Sequence, residues 1–376
     1  MKTEQLVGQP GNTWDRLPSL SGEASFVLIF GAVDRLKDPA LFGLVRTMYP
    51  RAYLMGCSTA GEIAGTRVLD DSVTVTAVSL DQARVALVKT RIAPGEDSQV
   101  TGERLAGELD LDGLRHVLAL SDGLQVNGSR LVRGITSQLS PETLVTGGLA
   151  ADGDRFKETM VLADAPAQSG IVAALAFYGP GLRLGWGSVG GWDIFGPKRL
   201  VTRSAGNILY ELDGKPVLEL YKKYLGKHAA ELPASALLFP LRVESPESPD
   251  NGLVRTILNV NEDDGSMTFA GDIPEGSHAT LMRANFDRLV EGAAASARHS
   301  RLSGPGQCLA VCISCVGRKL ILKQRVEDET EAVAGVLGEQ ALMTGFYSYG
   351  EISPLAGTGC SELHNQTMTI TTFSED

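Results

Sequence analysis

The chain has five histidines and five cysteines, the residue types best suited to holding a metal, and two of their spacings matter. Cys312 and Cys315 stand three apart, and Cys360 precedes His364 by four, which together give the donor spacing of a zinc site. The pair falls, however, in the apolar run 309–318 (LAVCISCVGR), which reads as a strand. Residues three apart on a strand point to opposite faces, so buried structural thiols are the stronger reading. Cys57 and Ser58 in the segment 56–63 (GCSTAGEI) could serve as nucleophiles. The segment is not G-x-S-x-G, and no His or Asp is spaced to suggest a triad. A glycine-flanked turn of this kind offers backbone N–H groups and hydroxyls to a small polar ligand such as an amino acid. Gly56, Ser58, Thr59, Glu62 and Glu351 are the candidate pocket residues. Glu62 and Glu351 occupy matching positions in two similar segments, either as loop-bonding carboxylates or, if they converge, as an acid and a base. Of the histidines, His116 begins a predicted buried strand, His228 and His299 sit in polar helix ends, and His278 follows a turn. His364 differs: it closes a long loop, with Phe346, Tyr347 and Tyr349 upstream and able to line an apolar cavity.

The elements that must position these residues repeat. Residues 26–35 (FVLIFGAVDR) read as a strand entering a turn, followed by a helix with Leu41, Phe42, Leu44, Val45 and Met48 on one face. The apolar run 52–55, the turn 56–63 and the alternating strand 72–78 complete a β-α-β-loop-β unit. Near the other end, 309–318 aligns without gaps on the first strand. A helix bearing Val333, Val336 and Leu337 leads to 345–352 (GFYSYGEI), and Thr367–Thr371 repeats the alternation. A weaker middle copy runs through His116–Leu120, a helix with Leu131, Ile135 and Leu139, then Val145–Gly148 and Ile171–Phe177. These units predict an α/β (α+β) fold: two pseudo-repeated domains of mixed β-sheets covered by helices. Ser72 follows Gly61 by eleven positions, whereas Thr367 follows Gly350 by seventeen, so the loop Ser353–Gln366, with Pro354, Gly357 and Gly359, is the enlarged one. The stretch 186–197 (WGSVGGWDIFGP) reads as a filler of the domain junction, as a lid or as a partner surface, and 244–252 (ESPESPDNG) as a surface loop.

Composition narrows the function. At 376 residues and 43% hydrophobic content, the chain can bury two cores or more. A formal charge of -11 argues against nucleic acid and anionic lipid as partners. The longest apolar runs, such as Ile171–Phe177, are far too short to span a bilayer, and residues 1–14, with Lys2, Glu4 and Pro10, lack the profile of a secretory leader. A cytoplasmic protein with reduced thiols is expected.

In order along the chain, GCSTAGEI, the segment 187–221 (GSVGGWDIFGPKRLVTRSAGNILYELDGKPVLELY), GFYSYGEISP and LHNQTMTI resemble the paired N- and C-terminal FIST domains. The resemblance implies a sensory domain at 20–205, a second at 206–376, and a signalling module rather than an enzyme. It implies a partner, either a histidine kinase or a cyclic-diguanylate signalling protein, since no output domain follows Asp376. A homodimer is compatible with such a regulator. Some stand-alone members are nitric-oxide-sensing haemoproteins, the NosP group. On that likeness His364 would be the proximal ligand of a non-covalent haem b, with Phe346, Tyr347 and Tyr349 around it, because no C-x-x-C-H occurs. The alternative is a module that binds a small polar metabolite without haem.

Overall fold

The computed structural model of the chain describes residues 1–376 apart from 10–12, 15–17, 21, 233, 247, 304–306 and 356–358. Pro10, Glu247 and Gly357, singled out above, lie outside the described residues. The architecture is mixed α/β, with two domains of β-sheet covered by helices. Among the described residues, no helix is long and apolar enough to cross a membrane.

The larger domain, here the body, holds three β-α-β-β units. The first comprises strand Phe26–Gly31, helix Pro39–Met48 and strands Tyr53–Ser58, Glu62–Ala64 and Val73–Ser79. The middle copy comprises strand Leu114–Ser121, helix Gly128–Ser137 and strands Leu144–Leu149, Val161–Ala163 and Ile171–Tyr178. The third comprises strand Cys308–Cys315, helix Val326–Leu337 and strands Ala341–Ser348, Gly350–Pro354 and Met368–Glu375. Each leading strand pairs parallel with the next long strand and antiparallel with the last. Parallel pairing needs the helical crossover between them, and burial on both faces makes the leading strands near-continuous apolar runs rather than alternating ones. Side chains start the helices. Asp38 caps Pro39–Met48 by accepting from the Ala40 N–H, and Asn127 caps Gly128–Ser137 by accepting from that of Arg130.

The units are not separate. The short strand of the first pairs with the third unit, Gly345 opposite Ile63. That of the third pairs with the middle one, Gly147 opposite Ile352. That of the middle one pairs with the first, Gly56 opposite Leu162. The three glycines sit where strands come closest. A Cβ on Gly56, Gly147 or Gly345 would collide with the carbonyl of Ile29, Ala119 or Cys312, respectively. One buried cluster accordingly draws Ile63, Val117 and Ile352 from the three units.

Between strand Leu182–Val189 and helix Phe286–Ser300 lies the second domain, here the insert. Its eight-stranded sheet runs from strand Asp193–Ala205 to strand His278–Arg283. Helix Val217–Leu225 buries Val217, Leu218, Tyr221 and Leu225 against Phe239 and Phe269, a core that contains no body residue. The polar stretch 244–252 is not merely a loop: it supplies parts of the hairpin Leu241–Ser245 and Ser248–Arg255. Trp192 lies at the junction, its indole N–H donating to the Gln366 carbonyl and its ring near Leu238 and Leu289.

Candidate functional site

The turns following the second long strands interlock. The N–H of Ala60 donates to the Tyr347 carbonyl, that of Ala151 to Ser58 and that of Tyr349 to Leu149, a cyclic set at matching positions. The predicted pocket residues are therefore deeply buried. Ser58 is fully enclosed, with its hydroxyl accepting from the Met160 N–H at 3.0 Å. Cys57 is buried, which pushes its thiol well above the ordinary range. Glu62 accepts from the hydroxyls of Thr59 (2.5 Å) and Ser72 (2.6 Å), and Glu351 from those of Ser348 (2.7 Å) and Thr367 (2.9 Å). Each carboxyl thus fastens the turn of its own unit to the residue that leads into the last strand of that unit. The middle unit places Val161 at this position, as the register opposite Cys57 shows. Burial raises Glu62 to about 7 and Glu351 to about 8, against the lowering effect of those hydroxyls.

The haem b expectation is corrected here. His364 is buried with both ring nitrogens engaged: Nε2 donates to the Ser353 carbonyl at 3.0 Å and Nδ1 accepts from the Ser188 hydroxyl at 3.3 Å. The aromatic residues expected around an iron point to separate partners. Tyr347 donates to Glu329 at 2.6 Å, Tyr349 donates to Asp152 and stacks on Phe156, and Phe346 packs on Phe30 with ring centres 4.7 Å apart. They fill the core rather than frame a flat cofactor. Nor is a metal centre formed, because among the described residues no group of three His, Cys, Asp or Glu side chains could hold an ion. Cys312 and Cys315 are buried thiols raised to about 12, chiefly by burial, whereas Cys360 is exposed.

A ligand-sized space lies elsewhere. A cleft of 810 Å³ opens between body and insert, in the size range of small-molecule sites. Its body wall is the start of helix Gly128–Ser137, with Ser129 and Arg133, together with Leu355 and Glu362 flanking the loop between strands Gly350–Pro354 and Ser361–His364. Its insert wall carries Arg255, Asp272 and Glu275. Side chains hold the seam. The Asn127 amide donates to Asp272 at 2.8 Å, and the Asp272 N–H donates to the Ser129 hydroxyl at 3.4 Å. Arg255 donates through Nη1 to the Leu363 carbonyl (2.7 Å) and through Nε to that of Asp272 (3.3 Å), bonding body and insert at once. The residues of this cleft were missed from sequence. Their one legible signal was the proline-rich stretch 244–252, which leads into the Arg255 strand.

The fold and cleft define a class: a two-domain α/β protein whose ligand-sized cavity is walled by both domains. The FIST N domain matches residues 25–215 and the FIST C domain residues 218–354, so the chain belongs to the FIST family. No curated protein matches it. Among solved structures, cyanuric acid hydrolase from A. caulinodans aligns over 100% of this chain and 98% of its own, at 10% identity and a TM-score of 0.35. An enzyme is thus among the structures that align with the chain end to end, and the expectation that the chain is not an enzyme is not carried forward. At this score the likeness assigns no reaction to the chain.

Proposed function

We propose that this FIST protein is a signal-sensing module that binds a small polar metabolite, such as an amino acid, without haem, and relays its occupancy to a partner protein. The observation that carries the reading is the 810 Å³ cleft, whose walls come from both domains and hold two arginines, three carboxylates and several hydroxyls. Such a wall suits a compact ligand with charged and hydrogen-bonding groups, and a ligand touching both domains favours one arrangement of them over another. The buried turns at Gly56, Ser58, Thr59, Glu62 and Glu351 serve in this reading as the rigid frame on which the body wall rests. The partner implied by the family, a cytoplasmic histidine kinase or cyclic-diguanylate protein, would read the cleft from outside.

The test is thermal denaturation of the full chain against the standard amino acids and their simple derivatives, with calorimetry on any compound that stabilises. A ligand at a hundred times its Kd should add about 2.7 kcal/mol. Substitution of Asp272 or Glu275 by Ala should weaken that ligand. Binding that ignores both substitutions would place the ligand elsewhere and sink the cleft reading.

A further inference from the structure

Among the described residues two arginines are buried, and only one of them bonds directly to an anion. Arg318 is fully buried and meets the Glu329 carboxylate at 2.7 Å, with further bonds to the carbonyls of Gly190 and Leu289. Arg255 is 4% exposed and bonds only to the neutral carbonyls of Leu363 and Asp272. The carboxylates of Asp272 and Glu362 are near enough to act on it electrostatically, but among the described residues neither bonds to its guanidinium. Removing a cation from water without a paired charge costs several kcal/mol, and an arriving oxyanion with charge-assisted hydrogen bonds offsets that cost. The site is also shaped for the guanidinium. A Cβ on Gly271 would come within 2.9 Å of Arg255 Cζ, so glycine there lets the group lie against the backbone.

We infer that Arg255 is the anion-recognition residue of the cleft, taking a carboxylate of the ligand on its guanidinium. The inference rests on the cleft being the ligand site and adds the chemistry that the site selects. A single negative charge fits better than a dianion, because Asp272, Glu275 and Glu362 face the same space. Those three carboxylates favour an ammonium group on the ligand's other end, so the preferred compound is a monocarboxylate or a zwitterion rather than a phosphate ester. Since Arg255 bonds to a body strand and an insert loop, the bound carboxylate sits on the seam whose arrangement a partner would sense.

The experiment uses the intact chain labelled with nitrogen-15 arginine, in which the Arg255 Nε–Hε resonance, assigned through bonds, is followed during titrations at constant ionic strength. Acetate is the probe, with acetamide as its uncharged counterpart and chloride as the control. The expected result is a saturable shift of the Arg255 resonance with acetate that acetamide and chloride do not produce. An unmoved resonance, or equal shifts with acetate and acetamide, overturns the inference without need of any variant. If acetate engages Arg255 while no amino acid binds, the inference stands and the metabolite reading falls. If amino acids and their amides bind equally well, the metabolite reading stands and the inference falls. With an amino acid that binds, Arg255→Lys should weaken affinity by about tenfold or more, from the lost charge-assisted hydrogen bonds.

Discussion

Glu62 and Glu351 couple the stability of the body to pH. Both are enclosed, and burial holds their pKa values near 7 and 8. In the unfolded chain they would titrate near the ordinary value of 4.5. Through these two groups the native state binds more protons than the unfolded state between these limits, so their contribution to stability falls as pH rises. The contribution is complete below about pH 4.5, declines by about 1.4 kcal/mol per pH unit for each group, and is gone above about pH 8. Below the ordinary histidine value of 6.5 the buried His116 and His364, lowered to about 3 and about 4, act in the opposite sense, so chemical denaturation between pH 6.5 and 8 should show the decline, and the double variant Glu62→Gln, Glu351→Gln should flatten it. An unchanged slope in the variant would mean that other groups set the pH dependence. These two carboxyls were legible in the sequence as duplicates, because the G-x4-G-E-I spacing repeats. Their burial was not, since it depends on three turns meeting from distant parts of the chain. His364 misled for the same reason: a histidine ending a glycine-rich loop reads as a ligand until Ser188, 176 positions away, is found against its ring.

At the scale of elements, the leading strands, their helices and the alternating last strands were readable, because apolar runs and helical periodicity are local properties. The middle unit was faint for a physical reason: it replaces the Glu position with Val161, so the motif that links the other two is missing from it. The crossing strands Glu62–Ala64, Val161–Ala163 and Gly350–Pro354 are each only three to five residues long, too short to announce a partner in another unit. Their close approach is what the glycines permit. Gly147→Ala should cost at least about 2 kcal/mol, because its methyl meets the Ala119 backbone, which cannot yield as a side chain could. Gly43→Ala, on an open helix face with no neighbour near its Cβ, should be neutral or slightly stabilising. Denaturant midpoints of the two variants check the pair; comparable losses would show that close strand approach is not what the buried glycine serves.

For the whole molecule, the insert has its own core, whereas the body distributes its core among three units that each lend a strand to another. The insert was not foreseen as a self-contained domain, because its strands are short and its polar hairpin looks like surface. The lending of strands has a consequence for cooperativity. Opening any one unit would strip a strand from a second unit and leave an unpaired edge in the third, so none can melt while the others stay intact. Amide hydrogens of the three leading strands, residues 26–31, 114–121 and 308–315, should therefore exchange with one shared opening free energy, while those of helix Val217–Leu225 follow a separate and lower one. Three distinct values for the leading strands would show that the ring can be opened one link at a time.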